Sequence, residues 1–471
     1  MFNTITSLLF PLITFPYASR IMLADGIGHV DFFYSIINYI SLLTCIGIPM
    51  YAIKQIAIAR DDIEKRNVVM LEILSLHLLL TVLGYIIVAL FCLFVSDIKE
   101  DVTLFLILSS SIIFTTIGCD WFYKGIEDFK YIAIRGVIVK FIAAILLFSF
   151  VKSREDIYWY ALFTVLGPLG GNIFNFFRLR KYISIKKSVI STLKPYKHFI
   201  PALHIFSLNI ITSLYVQLNP IMLGFLSNDN SVGLFTSASK ITNVLLGVSL
   251  ALGTTMIPRM SNLIATGKRE EFVALSQKSM RFMIALSLPM TLGLIVCAPD
   301  VVHLLCGENF ENAILTLKIL APIILTISMS NVMGLQILYP LGKVNIVMLT
   351  TGIGAFVNLI LNFVLVPIFH QDGAAISTVL AELSVTLGML MIAGKYFNFK
   401  FFSTIYVKYI VASFFMFVVI EVPIYHNYTS IVNILIKSSL GLVSYVLILV
   451  ILRESIVLDE IQKIKNKILS K

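Results

Sequence analysis

Runs of about twenty apolar residues alternate along the chain with short polar stretches, and within each run the apolar positions follow no strict two-residue alternation. A bilayer core about 30 Å thick needs roughly 20 apolar residues per helix. About fourteen runs meet that requirement, near residues 3–22, 32–52, 69–95, 102–123, 131–151, 157–177, 199–226, 233–258, 280–303, 313–340, 345–369, 374–394, 404–424 and 431–452. Segments that are apolar on every side predict helices surrounded by lipid or protein, and they exclude a β-barrel, whose strands would alternate. The expected fold class is therefore an all-α integral membrane protein of about 14 transmembrane helices. No Lys or Arg precedes the first run, so it is read as a retained helix and not as a cleavable signal.

Composition sharpens this picture. Hydrophobic residues make up 58% of the 471 and charged ones only 13%, against about 25% charged in soluble domains. The five cysteines show no CxxC spacing, so no metal or redox centre is suggested. No phosphate-binding GxxxxGK[ST], HExxH or EF-hand pattern occurs. No loop is long enough for a catalytic or nucleotide-binding domain, which excludes a single-chain ATP-driven pump, and nothing calls for a cofactor.

The charges are unevenly placed. With the N-terminus inside, the cytoplasmic loops hold 26 of the 36 Lys and Arg, while the outer loops hold only Arg20, Lys99, Lys152 and Arg154. The positive-inside rule puts both termini in the cytoplasm. The same asymmetry accounts for the net charge of +10 without a nucleic-acid partner. Residues 178–198 carry most of the longest basic loop, which resembles a linker lying on anionic headgroups, with about six spans before it and eight after.

Charges deep in the membrane each cost about 3 kcal/mol at the bilayer centre and need a reason. Lys140 lies deep in its span, and Glu382 is similarly deep from the other side. Lys240 and Lys318 are part-way in; Arg135 is near the cytoplasmic face, and Arg20 and Asp31 near the outer one. For Arg20, Arg135 and Asp31, interfacial anchoring competes with ligand binding; for Lys140, Lys240 and Glu382, burial against lipid is too costly and a cavity is expected. Cations predominate, and a cavity lined by them would attract a phosphate or diphosphate. Asp120 and Lys124, spaced i, i+4, are read as a local pair, and Lys437 as a snorkelling residue. Asn358 and Asn362 read as glue between helices, and Asn172, Asn209, Gln217 and Asn331 are further polar candidates for a cavity wall.

An offset of about 200 residues aligns His29–Ser35 (HVDFFYS) with Ser231–Ser237 (SVGLFTS), and the preceding helices carry Pro11 and Pro16, and Pro201 and Pro220. Broken helices at matching positions in two halves point to a transporter's central site.

Four stretches resemble a known family. Leu8–Met22 (LLFPLITFPYASRIM) and Gly47–Asp62 (GIPMYAIKQIAIARDD) are similar to the amino-terminal signature of polysaccharide exporters. Asp120–Lys140 (DWFYKGIEDFKYIAIRGVIVK) resembles their fourth-to-fifth helix segment, with the W-F-x-x-G-x-E-D core at Trp121, Phe122, Gly125, Glu127 and Asp128, directly after Asp120. Val232–Ile241 (VGLFTSASKI) resembles the eighth-helix segment and contains Lys240. The family is that of the Wzx-type flippases of O-antigen and capsule repeat units, within the multidrug/oligosaccharidyl-lipid/polysaccharide exporter superfamily. The short N-terminus departs from it by leaving the first helix without a cytoplasmic lead-in.

The resemblance implies two six-helix lobes in a V around a central cavity, at 1–177 and 199–400, joined by the linker 178–198 and followed by two appended helices in 401–452 and an amphipathic cytoplasmic tail, 453–471. It implies an undecaprenyl-diphosphate-linked oligosaccharide as substrate, turned from the cytoplasmic to the periplasmic leaflet of the bacterial inner membrane. The cationic cavity would fall to Arg20, Arg135, Lys140 and Lys240; Lys318 is added from depth, and Asp31 and Glu382 are the candidates for coupling to a proton or sodium ion. Membrane lipids and the polysaccharide polymerase machinery are the further partners it suggests. The alternatives left open are a multidrug-type ion-coupled antiporter and a peptidoglycan-precursor flippase of the same superfamily. A polymerase or ligase would need a larger outer loop, and no selectivity filter suggests a channel.

Overall fold

The computed structural model describes residues 2–183, 193–397, 403–421, 429–455 and 458, so the middle of the basic linker and most of the C-terminal tail lie outside the described residues. Among the described residues the chain is 89% helical and has no strand. The helices run α1 (Phe2–Cys45), α2 (Ile48–Ile58), α3 (Ile63–Phe94), α4 (Ser96–Glu100), α5 (Val102–Gly118), α6 (Asp120–Gly125), α7 (Phe129–Phe150), α8 (Ile157–Leu169), α9 (Gly171–Leu179) and α10 (Phe199–Leu226). They continue as α11 (Asp229–Thr254), α12 (Ile257–Ala265), α13 (Arg269–Leu305), α14 (Asn312–Leu320), α15 (Ile323–Asn331), α16 (Val344–Ala393), α17 (Thr404–Glu421) and α18 (Ser430–Ile451).

Ten helical stretches among the described residues are long and apolar enough to cross a membrane. Two of them, Phe10–Ile58 and Val344–Tyr396, each cover a pair of the runs read from the sequence. The expected outer loops there are single-residue breaks inside a continuing helix, at Leu23 (φ 55°) in α1 and His370 (φ 51°) in α16. A non-glycine residue held in such a sparsely populated backbone region costs on the order of 1–3 kcal/mol. The prolines expected to interrupt the first helix, Pro11 and Pro16, lie inside α1, and the chain breaks about two turns beyond Pro16, at Leu23. The run at 157–177 divides at Gly170 into α8 and α9.

Loop aspartates start several of these helices. Asp62, Asp101 and Asp128 accept the amides of Lys65, Leu104 and Tyr131 and so cap α3, α5 and α7, satisfying donors that have no partner within the helix. Gly47 takes φ 67° between α1 and α2, and a Cβ there would lie 2.5 Å from the Ala202 carbonyl, so both the turn and the approach of α10 exclude a side chain.

The helices form two compact units, Met1–Gly233 and Leu234–Lys471. In the first, α1 packs against α3, α5, α7 and α10, and α2 against α6. Its core gathers Ile48, Ile56, Met70, Ile73, Trp121 and Phe122. In the second, α13 is the central element, in contact with α15, α17 and α18, around Phe272, Met280, Met283, Met333 and Tyr409. The last two spans of the chain therefore pack directly on α13.

Candidate functional site

The motif segment Asp120–Asp128 folds as a sharp hairpin between α6 and α7. Cys119 (φ 44°) separates α5 from α6, and Glu127 (φ 62°) sits in the turn that follows. Phe122 is fully buried, and a Cβ on Gly125 would stand 2.7 Å from Ile56, so the absence of a side chain sets the distance between α6 and α2. Glu127 pairs with Arg60 at 2.6 Å on the surface. Asp128 caps α7 and also accepts from Arg178 at 2.9 Å and from the Tyr182 hydroxyl at 3.3 Å, while the Arg178 guanidinium lies 3.7 Å from the centre of the Tyr131 ring.

Asp120 and Arg135 lie on either side of this turn and meet across it. Nη2 of Arg135 donates to Oδ1 of Asp120 at 3.3 Å, and Nη1 donates to the Gly171 carbonyl at 3.0 Å and to Oδ1 of Asn172 at 3.4 Å. The same Asp120 oxygen accepts from Asn175 at 2.7 Å. The pairing expected between Asp120 and Lys124 is thus corrected: a helical i, i+4 neighbour loses to an arginine on the antiparallel arm and an amide on α9. Lys124 is exposed at the edge of a cavity of about 130 Å³, whose other polar walls are His77, Thr115, Asp120, Trp121 and Asn172.

The remaining candidates divide between the units. In the first, Lys140 is half-buried on α7, close enough to Arg135 to feel its charge. Arg20 is exposed on α1 and donates to the Pro16 carbonyl at 2.5 Å, and Asp31 is buried farther along α1. In the second, Lys240 on α11 and Lys318 on α14 are half-buried and Glu382 on α16 is buried. Asn358 and Asn362 are fully buried and bonded to each other at 3.1 Å. Lys437 does not snorkel: it pairs with Asp300 of α13 at 2.7 Å, and Asn433 donates to the same carboxylate at 3.0 Å. The side chain of Asn209 lies outside the described residues.

One charged cluster escaped the sequence reading. Glu72 on α3 is buried and accepts three donors from the end of the basic linker: the Lys194 amide at 2.9 Å, His198 Nε2 at 3.0 Å and the Lys197 ammonium at 2.5 Å. The Tyr51 hydroxyl meets His198 Nδ1 at 2.8 Å. Burial pushes the His198 imidazole below its ordinary range, against the opposing pull of Glu72. A neutral ring that accepts from Tyr51 and donates to Glu72 satisfies both nitrogens. Glu72 lies near the start of its apolar run, which was the only signal available.

Comparison with known proteins adds the following. Residues 1–264 match the family described as "Polysaccharide biosynthesis protein", and residues 205–364 match the MatE family. The chain is 26% identical over 386 residues to "Putative O-antigen transporter" of Escherichia coli K12, covering 81% of this chain and 92% of that protein. It is 28% identical over 391 residues to the protein of the same name from Shigella dysenteriae, covering 81% and 95%. Its fold resembles that of "Lipid II flippase MurJ, inward closed conformation", with a TM-score of 0.69 at 15% identity, over 95% of this chain and 99% of that one.

Proposed function

Because the chain belongs to the polysaccharide biosynthesis protein family, we propose that it carries undecaprenyl-diphosphate-linked oligosaccharide units from the cytoplasmic to the periplasmic leaflet of the bacterial inner membrane, with both termini in the cytoplasm. At the coarser level it is a multi-pass membrane flippase for a polysaccharide or lipid-linked glycan, and a transporter, not an enzyme. The observation that carries the finer reading is the likeness to two proteins named for O-antigen transport along 81% of the chain.

In this reading Arg20, Arg135 and Lys140 of the first unit, with Lys240 and Lys318 of the second, attract the diphosphate, and Asp31 and Glu382 take the coupling proton or sodium ion. Moving one elementary charge across 100 mV is worth about 2.3 kcal/mol. A headgroup with about two negative charges is therefore driven outward by roughly 4–5 kcal/mol when no compensating ion moves. The work left to the protein is to lower the barrier by replacing the headgroup's water with fixed cations and exposing that site first to one side, then to the other.

The test is the sidedness of lipid-linked oligosaccharide in a strain lacking the gene. Accumulation on the cytoplasmic leaflet with loss of surface polymer, both reversed by the intact gene, is expected. Accumulated peptidoglycan precursor would move the substrate to lipid II, the molecule named for the solved structure with a similar fold. Normal pools of both with heightened sensitivity to cationic drugs would make the chain a multidrug antiporter.

A further inference from the structure

The cavity beside Asp120 has a chemistry that the diphosphate reading does not use. Its polar walls offer both donors and acceptors. Among the described residues Oδ2 of Asp120 takes no hydrogen bond, because Arg135 and Asn175 both address Oδ1. Lys124 supplies an ammonium at the rim, and the Thr115 hydroxyl, which donates to the Ser111 carbonyl at 2.8 Å, keeps a lone pair to accept with. Two further wall residues are almost wholly buried and carry nitrogens with no partner among the described residues: Nε1 of Trp121 and Nδ1 of His77. The rest of the wall is apolar, from Pro49, Ile53 and Leu169.

We propose that this cavity is a carbohydrate subsite that takes one pyranose ring of the transported glycan. Three comparisons single out that ligand. An anion such as phosphate would meet the uncommitted carboxylate oxygen of Asp120, a like charge at close range. A cation, whether a metal ion or a drug, would meet Lys124. A neutral ring bearing hydroxyls suffers neither repulsion: each hydroxyl both donates and accepts, so it can serve the carboxylate and the ammonium together. Its apolar face suits a wall of proline, leucine, isoleucine and indole. Size sets an upper limit: a cavity of about 150 Å³ takes one benzene ring, so 130 Å³ admits at most one sugar ring, entering in part, and not an oligosaccharide. The site lies wholly within the first unit, and two of its walls, Asp120 and Asn172, are held by Arg135.

The proposal rests on the glycan-flippase reading for its ligand, but its test does not require transport. The chain has two tryptophans, and Trp159 is largely exposed and outside the cavity. In full-length Trp159→Phe protein in detergent, Trp121 is therefore the sole indole reporter. It is titrated separately with the methyl pyranosides of glucose, galactose, mannose, rhamnose, N-acetylglucosamine and N-acetylgalactosamine, with inorganic diphosphate and with tetraethylammonium. Concentrations run to about 100 mM, well past millimolar affinity. A saturable change with at least one pyranoside and none with diphosphate or tetraethylammonium is expected. Asp120→Asn and Lys124→Met should each weaken that response about tenfold, the equivalent of one good hydrogen bond. Lys124 is exposed, so its variant tests the site even where Asp120→Asn fails to fold. Saturation by diphosphate or by tetraethylammonium instead, or by no probe at all, would overturn the proposal. Pyranoside binding together with normal lipid-linked pools in the deletion strain would leave the subsite standing and remove the flippase reading. Cytoplasmic accumulation without any pyranoside response would do the reverse.

Discussion

Glu72→Ala removes one acceptor from three donors at once, and the cost can be apportioned from their exposure. Lys197 is half exposed and regains water when released, so its pair with Glu72 is worth about 0–1 kcal/mol. His198 is 3% exposed and Glu72 2%, so the imidazole N–H has no water to turn to, whereas the amide of the exposed Lys194 can regain water. A buried group bonded to a charge that is then removed loses about 1.5–3 kcal/mol. A domain of 150–250 residues shifts by about 2–4 °C per kcal/mol, and the first unit spans Met1–Gly233. The first thermal transition of full-length Glu72→Ala protein in detergent should therefore fall by about 3–12 °C. The pH dependence carries a definite sign. Burial lowers the His198 pKa, so the unfolded chain takes up a proton before the folded one does. The contribution is complete above about pH 6.5 and is lost as the pH falls toward and through the lowered value. His198→Gln should flatten that slope. A fall of less than about 2 °C in Glu72→Ala would refute the view that this carboxylate anchors the linker's end.

Three further outcomes are expected. Asp300→Leu leaves Lys437 buried opposite nothing and should cost about 3–5 kcal/mol, most of it recovered in Asp300→Leu/Lys437→Met; equal thermal losses in the single and double variants would show that the pair is not the reason. Gly28→Ala places a Cβ 1.7 Å from the Asp229 carbonyl and should cost about 3 kcal/mol or more, whereas Gly293→Ala, with nothing within 4 Å, should be neutral or slightly stabilising in the same melting assay. Lys140→Ala should abolish export of lipid-linked oligosaccharide in a complemented deletion strain while membrane abundance, read by immunoblot, is unchanged; full export would remove Lys140 from the headgroup site.

The spans and fold class were legible because lipid imposes length and hydrophobicity on each run regardless of what it packs against. That same uniformity hid the packing. On α7, Ile138 and Phe141 are as apolar as the buried Ala143 and Leu147, and only their neighbours tell lipid-facing from protein-facing residues. Helix starts could be read where a loop aspartate precedes an apolar run, as at Asp62 and Asp101. The contacts Asp300–Lys437 and Glu72–His198 could not, since they join segments more than a hundred residues apart. The Asp120–Arg135 contact is an intermediate case. The two residues are almost equidistant from the turn at Glu127–Asp128, and an antiparallel helical hairpin brings such positions together. Counting outward from the turn would have found it, whereas counting i, i+4 along one helix led to Lys124.

The motif that carries the family likeness is largely spent on holding this hairpin together. Phe122 fills core, Gly125 sets the approach to α2, Glu127 meets Arg60, and Asp128 caps α7 and holds Arg178. Asp120 and Trp121 differ, because each keeps one polar atom that no neighbour among the described residues uses. Arg135 is constrained in a complementary way. A guanidinium has five N–H donors; here Nη1 serves Gly171 and Asn172, one of the two Nη2 N–H bonds serves Asp120, and Nε is buried without a partner among the described residues. If Arg135 takes the proposed headgroup role, a phosphate reaches it through the second Nη2 N–H or in competition with the Asp120 carboxylate. In the proposed carrier, that competition between Asp120 and the headgroup for one guanidinium would loosen the hold on the charge and so favour its release on the far side.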